Sequence, residues 1–319
     1  MEKNKALITG IHGFAGRQLC LQLLKSQYSV TGLSRGIHPL EQKIWDDENL
    51  SETPVLISDL SDVKQIQNLD DFSSYQYVFH LAGTAFIPEG WKNPAGIIQS
   101  NTINTINLLN ALKESGFKGR FIYISSSDVY GTVLKNNTGF SENDCCNPES
   151  PYAATKYASE LFSKYFLHDE IDILIARPFN HIGPGQNKSF VVPAFLHRLI
   201  DAKQNNKSEI EVGDIESGRD FTDVRDVVNA YRFIAENGAS GETYNICSGK
   251  VTSIKEILKI SMETTGIDVN FKVNPEFLRQ EGPSNRYGDA SKIKSLGWEP
   301  HFSTSQSIQD MYNYIMKYS

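Results

Sequence analysis

The sequence predicts an α/β protein: a doubly wound parallel sheet, Rossmann-like, with a smaller, mixed C-terminal lobe. Three observations predict it. Short apolar runs alternate with helical patterns up to about residue 178, as βαβ units do. The first run, Lys5-Ala6-Leu7-Ile8, enters a glycine turn that opens a helix. From about 180 to 218 the composition shifts toward Gly, Pro, Asn and Lys.

The glycine turn is Thr9-Gly10-Ile11-His12-Gly13-Phe14-Ala15-Gly16, and the helix after it has apolar residues at 19, 20, 23 and 24. Such a turn is a phosphate cradle. Glycines admit the ligand to the backbone, and the helix's free N–H groups and positive end attract a diphosphate. Gly10, Gly13, Phe14 and Gly16 are therefore candidate dinucleotide contacts. Alone, the pattern equally fits a plain strand-to-helix turn.

The second strand, 28–33, ends at Ser34-Arg35. A carboxylate there would meet the 2′-hydroxyl of NAD, whereas Arg suits the 2′-phosphate of NADP. NADP(H) is expected, with NAD(H) less favoured. The alternative is a solvated Arg at a strand end. The third strand, 54–58, ends at Asp59-Leu60, placed toward the adenine. A short helix spans 62–69, and the fourth strand, 76–82, ends at Gly83. Leu81, Ala82 and Gly83 thus join the cofactor candidates. His80 is expected to be a buried or hydrogen-bonded strand histidine and not a base. A helix follows over 101–114, then a fifth strand at 121–124 running into Ser125-Ser126-Ser127-Asp128-Val129-Tyr130-Gly131. All these candidates fall at the carboxyl ends of strands, where ligands bind in such sheets.

Ser150 and Pro151 cap and open the next helix. A sixth strand spans 171–176, helices are expected at 192–203, 223–235, 253–265 and 304–317, and a strand at 242–246. Residues 1–178, with a returning segment at about 219–248, are expected to form the dinucleotide-binding domain. Residues 179–218 and 249–319 would form the substrate lobe.

Tyr152 and Lys156 stand at i and i+4 on one helix face. A free Tyr is a poor acid or base at neutral pH, and a nearby ammonium and the helix N-terminus would lower its pKa. Tyr152 can then exchange a proton with a substrate oxygen, with the Ser126 hydroxyl bonding the same oxygen. This machinery fits hydride transfer with a nicotinamide.

Bulk properties narrow the classes. Net charge is −7 and the pI about 5.6, which argues against a broad nucleic-acid surface. No apolar run reaches membrane-spanning length, and the charged N-terminus lacks a signal peptide's apolar stretch. The four cysteines, at 20, 145, 146 and 247, show no Cys-x-x-Cys and indicate neither a zinc site nor a disulfide framework. A cytoplasmic location is the expectation, with no metal.

Taken together, Thr9-Gly10-x-x-Gly13-Phe14-x-Gly16, Asp59-Leu60, His80-Leu81-Ala82-Gly83, Asn101, Ser125-Ser126-Ser127-x-Val129-Tyr130-Gly131, Ser150-Pro151-Tyr152-x-x-x-Lys156 and Arg177-Pro178-x-Asn180 resemble the extended short-chain dehydrogenases/reductases that act on nucleotide sugars. Within that family, Arg177 to Gln186, Gly218 to Val228, Tyr244 to Gly249 and Gly288-Asp289-x-Ser291-Lys292 resemble the GDP-4-dehydro-6-deoxy-D-mannose reductase branch. The resemblance implies NADPH-dependent reduction of a GDP-linked 4-keto-6-deoxy-hexose to a GDP-deoxyhexose such as GDP-D-rhamnose or GDP-6-deoxy-D-talose. Alternatives are a nucleotide-sugar 4-epimerase or 4,6-dehydratase with tightly bound NAD(P), or a 4-keto reductase for a dTDP, CDP or UDP sugar. A dinucleotide-sensing regulator ranks below these, because Tyr152 and Lys156 are both present. The resemblance also implies that Ser127, Asp128, Asn180, Arg219 and Arg279 line the substrate site, and that the chain forms a homodimer through the Asn101 and Tyr152 helices. For Arg219, a structural pair with Asp220 or Asp223 is the competing expectation. Dehydratases of this family carry a Glu in the place of Asp128, often with an Asp in the place of Ser127. The shorter Asp128 is expected to orient substrate, or else to cap a helix or bond a backbone amide.

Overall fold

The computed structural model describes residues 3–69, 71–132, 139–277 and 284–318. Arg279 lies outside the described residues.

Seven strands form one sheet: β1 (Lys5–Thr9), β2 (Ser29–Ser34), β3 (Val55–Ile57), β4 (Tyr77–His80), β5 (Arg120–Ile124), β6 (Asp172–Pro178) and β7 (Thr243–Ile246). Their spatial order is β7-β6-β5-β4-β1-β2-β3, and every pairing is parallel. The central strands are covered on both faces, so they read as unbroken apolar runs. Ala6, Leu7, Ile8, Phe121 and Ile122 are all fully buried. The order reverses between β1 and β4, and the crevice outside that switch point is where such sheets bind ligands.

The main helices are α1 (Phe14–Lys25), α2 (Asn104–Glu114), α3 (Pro151–Tyr165), α4 (Val191–Gln204), α5 (Val224–Asn237), α6 (Ile254–Thr265) and α7 (Thr304–Tyr318). Leu19 and Leu23 of α1 and Val227, Tyr231 and Ile234 of α5 pack on one sheet face. Leu108, Leu109 and Leu112 of α2 pack on the other. A third apolar core, with Val192, Phe195, Leu199, Ile257, Leu258, Ile308 and Met311, joins α4, α6 and α7 outside the sheet.

Two features differ from the sequence expectation. The helix expected from 101 starts as a π-turn, Gln99–Ile103, before α2. The Asn101 carbonyl there accepts the hydroxyls of Thr105 (2.6 Å) and Ser159 (3.1 Å), side-chain bonds that pull backbone carbonyls away from regular α-helical pairing. Short helices also occur at Pro39–Asp47, Ile87–Lys92 and Pro94–Ile98, each with a proline in its first turn.

Candidate active site

The glycine turn has the geometry that its residues demand. Gly10 has φ +70°, and a Cβ there would lie 3.0 Å from the Ala82 backbone. A Cβ at Gly16 would strike the Gly10 carbonyl. Gly13 starts α1 without a side-chain cap, so the first N–H groups of α1 are left for a ligand.

Behind the turn, a one-way chain of hydrogen bonds fixes the strand ends. The Ala82 N–H donates to Thr9 Oγ1 (3.1 Å), Thr9 Oγ1 lies 2.7 Å from His80 Nδ1, and His80 Nε2 lies 2.9 Å from Thr105 Oγ1, whose hydroxyl donates to the Asn101 carbonyl. An amide N–H can only donate and a carbonyl only accept, so the chain's ends set its direction and place the imidazole proton on Nε2. Burial, then the Lys156 charge, depresses the His80 pKa to about 3. His80 is a neutral structural bridge, as the sequence predicts.

Tyr152 lies in the first turn of α3, where Ser150 caps the helix by accepting the Ala153 N–H at 3.1 Å. Its phenol is hydrogen-bonded by Ser126, the residue just after β5 and Ser125. Lys156 Nζ donates to the Ile124 carbonyl at 2.7 Å and sits 5.1 Å from the centre of the Tyr123 ring. Burial, opposed by Glu160, brings its pKa down to about 8. The Tyr152 pKa is raised, not lowered as the i, i+4 spacing with Lys156 suggests. Burial first, and the Asp128 charge second, raise it, while Ser126 and Arg286 pull it down. A phenol kept protonated in this way is the form that gives a proton to a developing alkoxide.

One turn further along α3, Glu160 takes a two-pronged bond from Arg177 of β6, at 2.9 and 2.6 Å, and a bond from the Ser125 hydroxyl. Arg177 also donates to Tyr130 Oη (2.9 Å), which donates to Asn245 (2.7 Å). This buried network ties the helix carrying Tyr152 and Lys156 to β5, β6 and β7.

A cleft of about 1200 Å³ runs from the glycine turn to the edge of the third core. It brings together Gly10, Gly13, Phe14, Gly16, Leu81, Gly83, Ser126, Ser127, Asp128, Tyr152, Lys156, Asn180 and Arg219. Ser34, Arg35, Asp59, Leu60 and Ala82 lie outside its lining. Leu60 is in a core, and Ala82 contributes its backbone to the Thr9 chain. Arg35 is exposed at the end of β2, and its charge helps to hold the Asp59 carboxyl low, after the larger effect of Ser61 bonding.

Asp220 accepts from Ser248 and Gly249, and Asp223 pairs with Arg225. Arg219 donates to the carbonyls of Gly218 and Ser284. The Asp128 carboxylate forms an ion pair with Arg286.

A sequence model of the GDP-mannose 4,6 dehydratase family matches residues 7–311. The chain belongs to this family. It is an enzyme of the extended short-chain dehydrogenase/reductase type, acting in nucleotide-sugar chemistry. It is 37% identical over 235 residues to GDP-6-deoxy-D-mannose reductase of Pseudomonas aeruginosa, covering 73% of this chain and 77% of that one. It is 29% identical over 314 residues to GDP-6-deoxy-D-talose 4-dehydrogenase of Aggregatibacter actinomycetemcomitans, covering 97% of each. The solved structure of RMD from Pseudomonas aeruginosa complexed with NADPH superposes with a TM-score of 0.86 at 30% identity, covering 99% of this chain and 100% of that one.

Three residues in or around the site have roles that their spacing in the sequence does not reveal. Asn101 has its Oδ1 on the Thr84 N–H (2.7 Å) and its Nδ2 on Thr155 Oγ1 (3.1 Å), stitching the loop after β4 to α3. His12, inside the glycine turn, bonds Ser34 Oγ at 3.1 Å and meets Trp45 edge-on. Arg286 lines the cleft. Only a lone polar residue in a glycine turn, or a lone Arg in a loop, marked the last two. Among the described residues, no cluster of His, Cys, Asp or Glu could hold a metal, and no helix is long and apolar enough to cross a membrane.

Proposed function

We propose that the chain uses NADPH to reduce the 4-keto group of a GDP-4-keto-6-deoxy-hexose, giving a GDP-deoxyhexose. The observation that carries this is the meeting, in one cleft, of an uncapped glycine turn with a buried Tyr152–Ser126 pair and Lys156. Likeness to a GDP-6-deoxy-D-mannose reductase and a GDP-6-deoxy-D-talose 4-dehydrogenase supports the GDP sugar. Likeness to a structure complexed with NADPH supports the cofactor.

In this reading, residues 1–178 and 219–248 carry the cofactor, and the remaining lobe closes on the nucleotide sugar. Gly10, Gly13, Phe14 and Gly16 would seat the diphosphate, Ser34 and Arg35 the 2′-phosphate, and Asp59 with the backbone of Leu60 the adenine. Leu81, Ala82 and Gly83 would border the ribose. The turn fits a diphosphate because its glycine positions leave no room for a Cβ and its helix lacks a side-chain cap. The bound dinucleotide supplies the hydride that reaches C4. Ser126 bonds the C4 oxygen, Tyr152 protonates it as charge develops, and Lys156 holds the ribose hydroxyls and the local charge. Ser127, Asp128, Asn180, Arg219 and Arg279 would line the sugar diphosphate, for which guanidinium forks are the natural partners. The exposed apolar face of α3 supports a homodimer.

Anaerobic incubation with GDP-4-keto-6-deoxymannose and NADPH, with NMR of the product, tests this. One NADPH consumed per deoxyhexose formed is the expected result. Turnover confined to a dTDP, CDP or UDP analogue overturns the base. A retained, non-exchanging NAD(P) with epimerisation or loss of water overturns the reaction.

A further inference from the structure

Asp128 and Arg286 come from opposite walls of the cleft. Asp128 sits in the 3₁₀ turn Ser127–Tyr130 that follows β5, held by its own N–H on Ser126 Oγ (3.1 Å). Arg286 sits in the two-residue strand Asn285–Arg286, which pairs with Gly218–Arg219. The Arg286 carbonyl accepts the Asp220 N–H at 3.1 Å, and Asp220 in turn holds the loop at Ser248 and Gly249. The backbones of both partners are therefore anchored before their side chains meet. The pair is largely buried, with side-chain exposures of 12% for Arg286 and 16% for Asp128, and both line the cleft beside Tyr152. Arg286 Nε is buried and has no hydrogen-bond partner among the described residues.

The Asp128 carboxylate lines the same cleft as Tyr152, and its charge acts on the phenol. With Arg286 on it, that carboxylate is occupied. We propose that Arg286 is a positioning residue that straps Asp128 across the cleft and balances its charge at Tyr152, so that the site performs a single proton transfer. This rests on the reductase reading above and deepens it: Arg286 would separate reduction from the acid–base chemistry that removes water.

The groups facing Tyr152 are few. Asp128 and Ser126 approach from the turn after β5, Arg286 from its strand, Tyr123 from β5, Tyr231 from α5, and Lys156 from α3 itself. Asp128 and Arg286 act on the phenol with opposite signs, and Lys156 is engaged by the Ile124 carbonyl. Removing one member of the pair therefore unmasks the other.

The test is a double-mutant cycle with Arg286→Met and Asp128→Asn. With NADPH and the 4-keto sugar, Arg286→Met should move the alkaline limb of the kcat profile up by about one pH unit, and Asp128→Asn should move it down by a similar amount. The double variant should return close to wild type. Shifts of the same sign, or no shift in either, would overturn the proposal, since a merely structural pair gives no opposite pair of shifts. Thermal unfolding gives a second readout that does not need the substrate to be right. Each single variant should lower Tm and the double no further than the worse single, whereas additive losses would show that no strap exists. Absence of wild-type turnover with any 4-keto nucleotide sugar counts against the reductase reading alone, and the unfolding cycle then decides the strap.

Discussion

In the proposed reduction, Tyr152 is the residue on which the chemistry turns. Its phenol is buried, bonded by Ser126 and held protonated, so Tyr152→Phe removes the proton donor while leaving ring packing intact. The expected loss in kcat is about 10²- to 10⁴-fold, with NADPH affinity, read by fluorescence titration, nearly unchanged. An unchanged kcat would move the proton donor elsewhere. His80 makes the opposite kind of contribution. Its imidazole must stay neutral to accept from Thr9 and donate to Thr105, and its pKa falls to about 3 against an ordinary 6.5. Between those values the unfolded chain binds a proton that the folded chain refuses. Stability therefore rises with pH across that window and is lost as pH falls from 6.5, by up to about 5 kcal/mol. His80→Phe should flatten this stretch of the stability profile, and should cost about 1–3 kcal/mol at neutral pH by stranding two hydroxyls. Urea unfolding from pH 4 to 8 reads both.

At the level of elements, the site depends on α3 meeting the end of β5 at a fixed height. Glu160 and Arg177 set that height through a buried two-pronged pair, with side chains 2% and 6% exposed. Glu160→Gln leaves the Arg177 charge buried and half-paired, so urea unfolding should show a loss of about 3–5 kcal/mol. Within that variant kcat should fall more than NADPH affinity, because the glycine turn is built on α1 and not on α3. The elements themselves were largely legible in the sequence. A parallel sheet needs continuous apolar strands, and a phosphate cradle needs glycines where no Cβ fits, so β1, β4, β5 and β6 and the turn at Gly10 stand out by composition alone. Tyr152 and Lys156 were legible for the same reason: their spacing is local. What escaped depends on contacts between distant segments. The π-turn at Gln99–Ile103 arises from hydroxyls at 105 and 159, and the Asp128–Arg286 pair spans 158 residues. The Tyr152 pKa rises instead of falling because of burial, which no spacing reveals.

For the whole molecule, the helix that carries the catalytic pair also carries an unusual surface. Leu161, Phe162 and Tyr165 of α3 are exposed, Tyr165 by 67%, and Ile98 and Ile103 are exposed on the segment that packs beside α3. Large apolar side chains grouped on neighbouring elements are the mark of an interaction surface, not of a solvated one. A second copy of the chain, meeting this face about a two-fold axis, would bury the same patch twice and brace α3 from outside while Glu160–Arg177 braces it from within. Light scattering on the eluting protein should therefore give about twice the 35.8 kDa chain mass. Leu161→Asp with Phe162→Asp should give a monomer, since two carboxylates per chain would face their copies across a desolvated interface. That monomer should bind NADPH through an intact glycine turn yet lose kcat, because only α3 loses its outer support. A wild-type monomer, or a double variant that stays dimeric, would place the interface on another face.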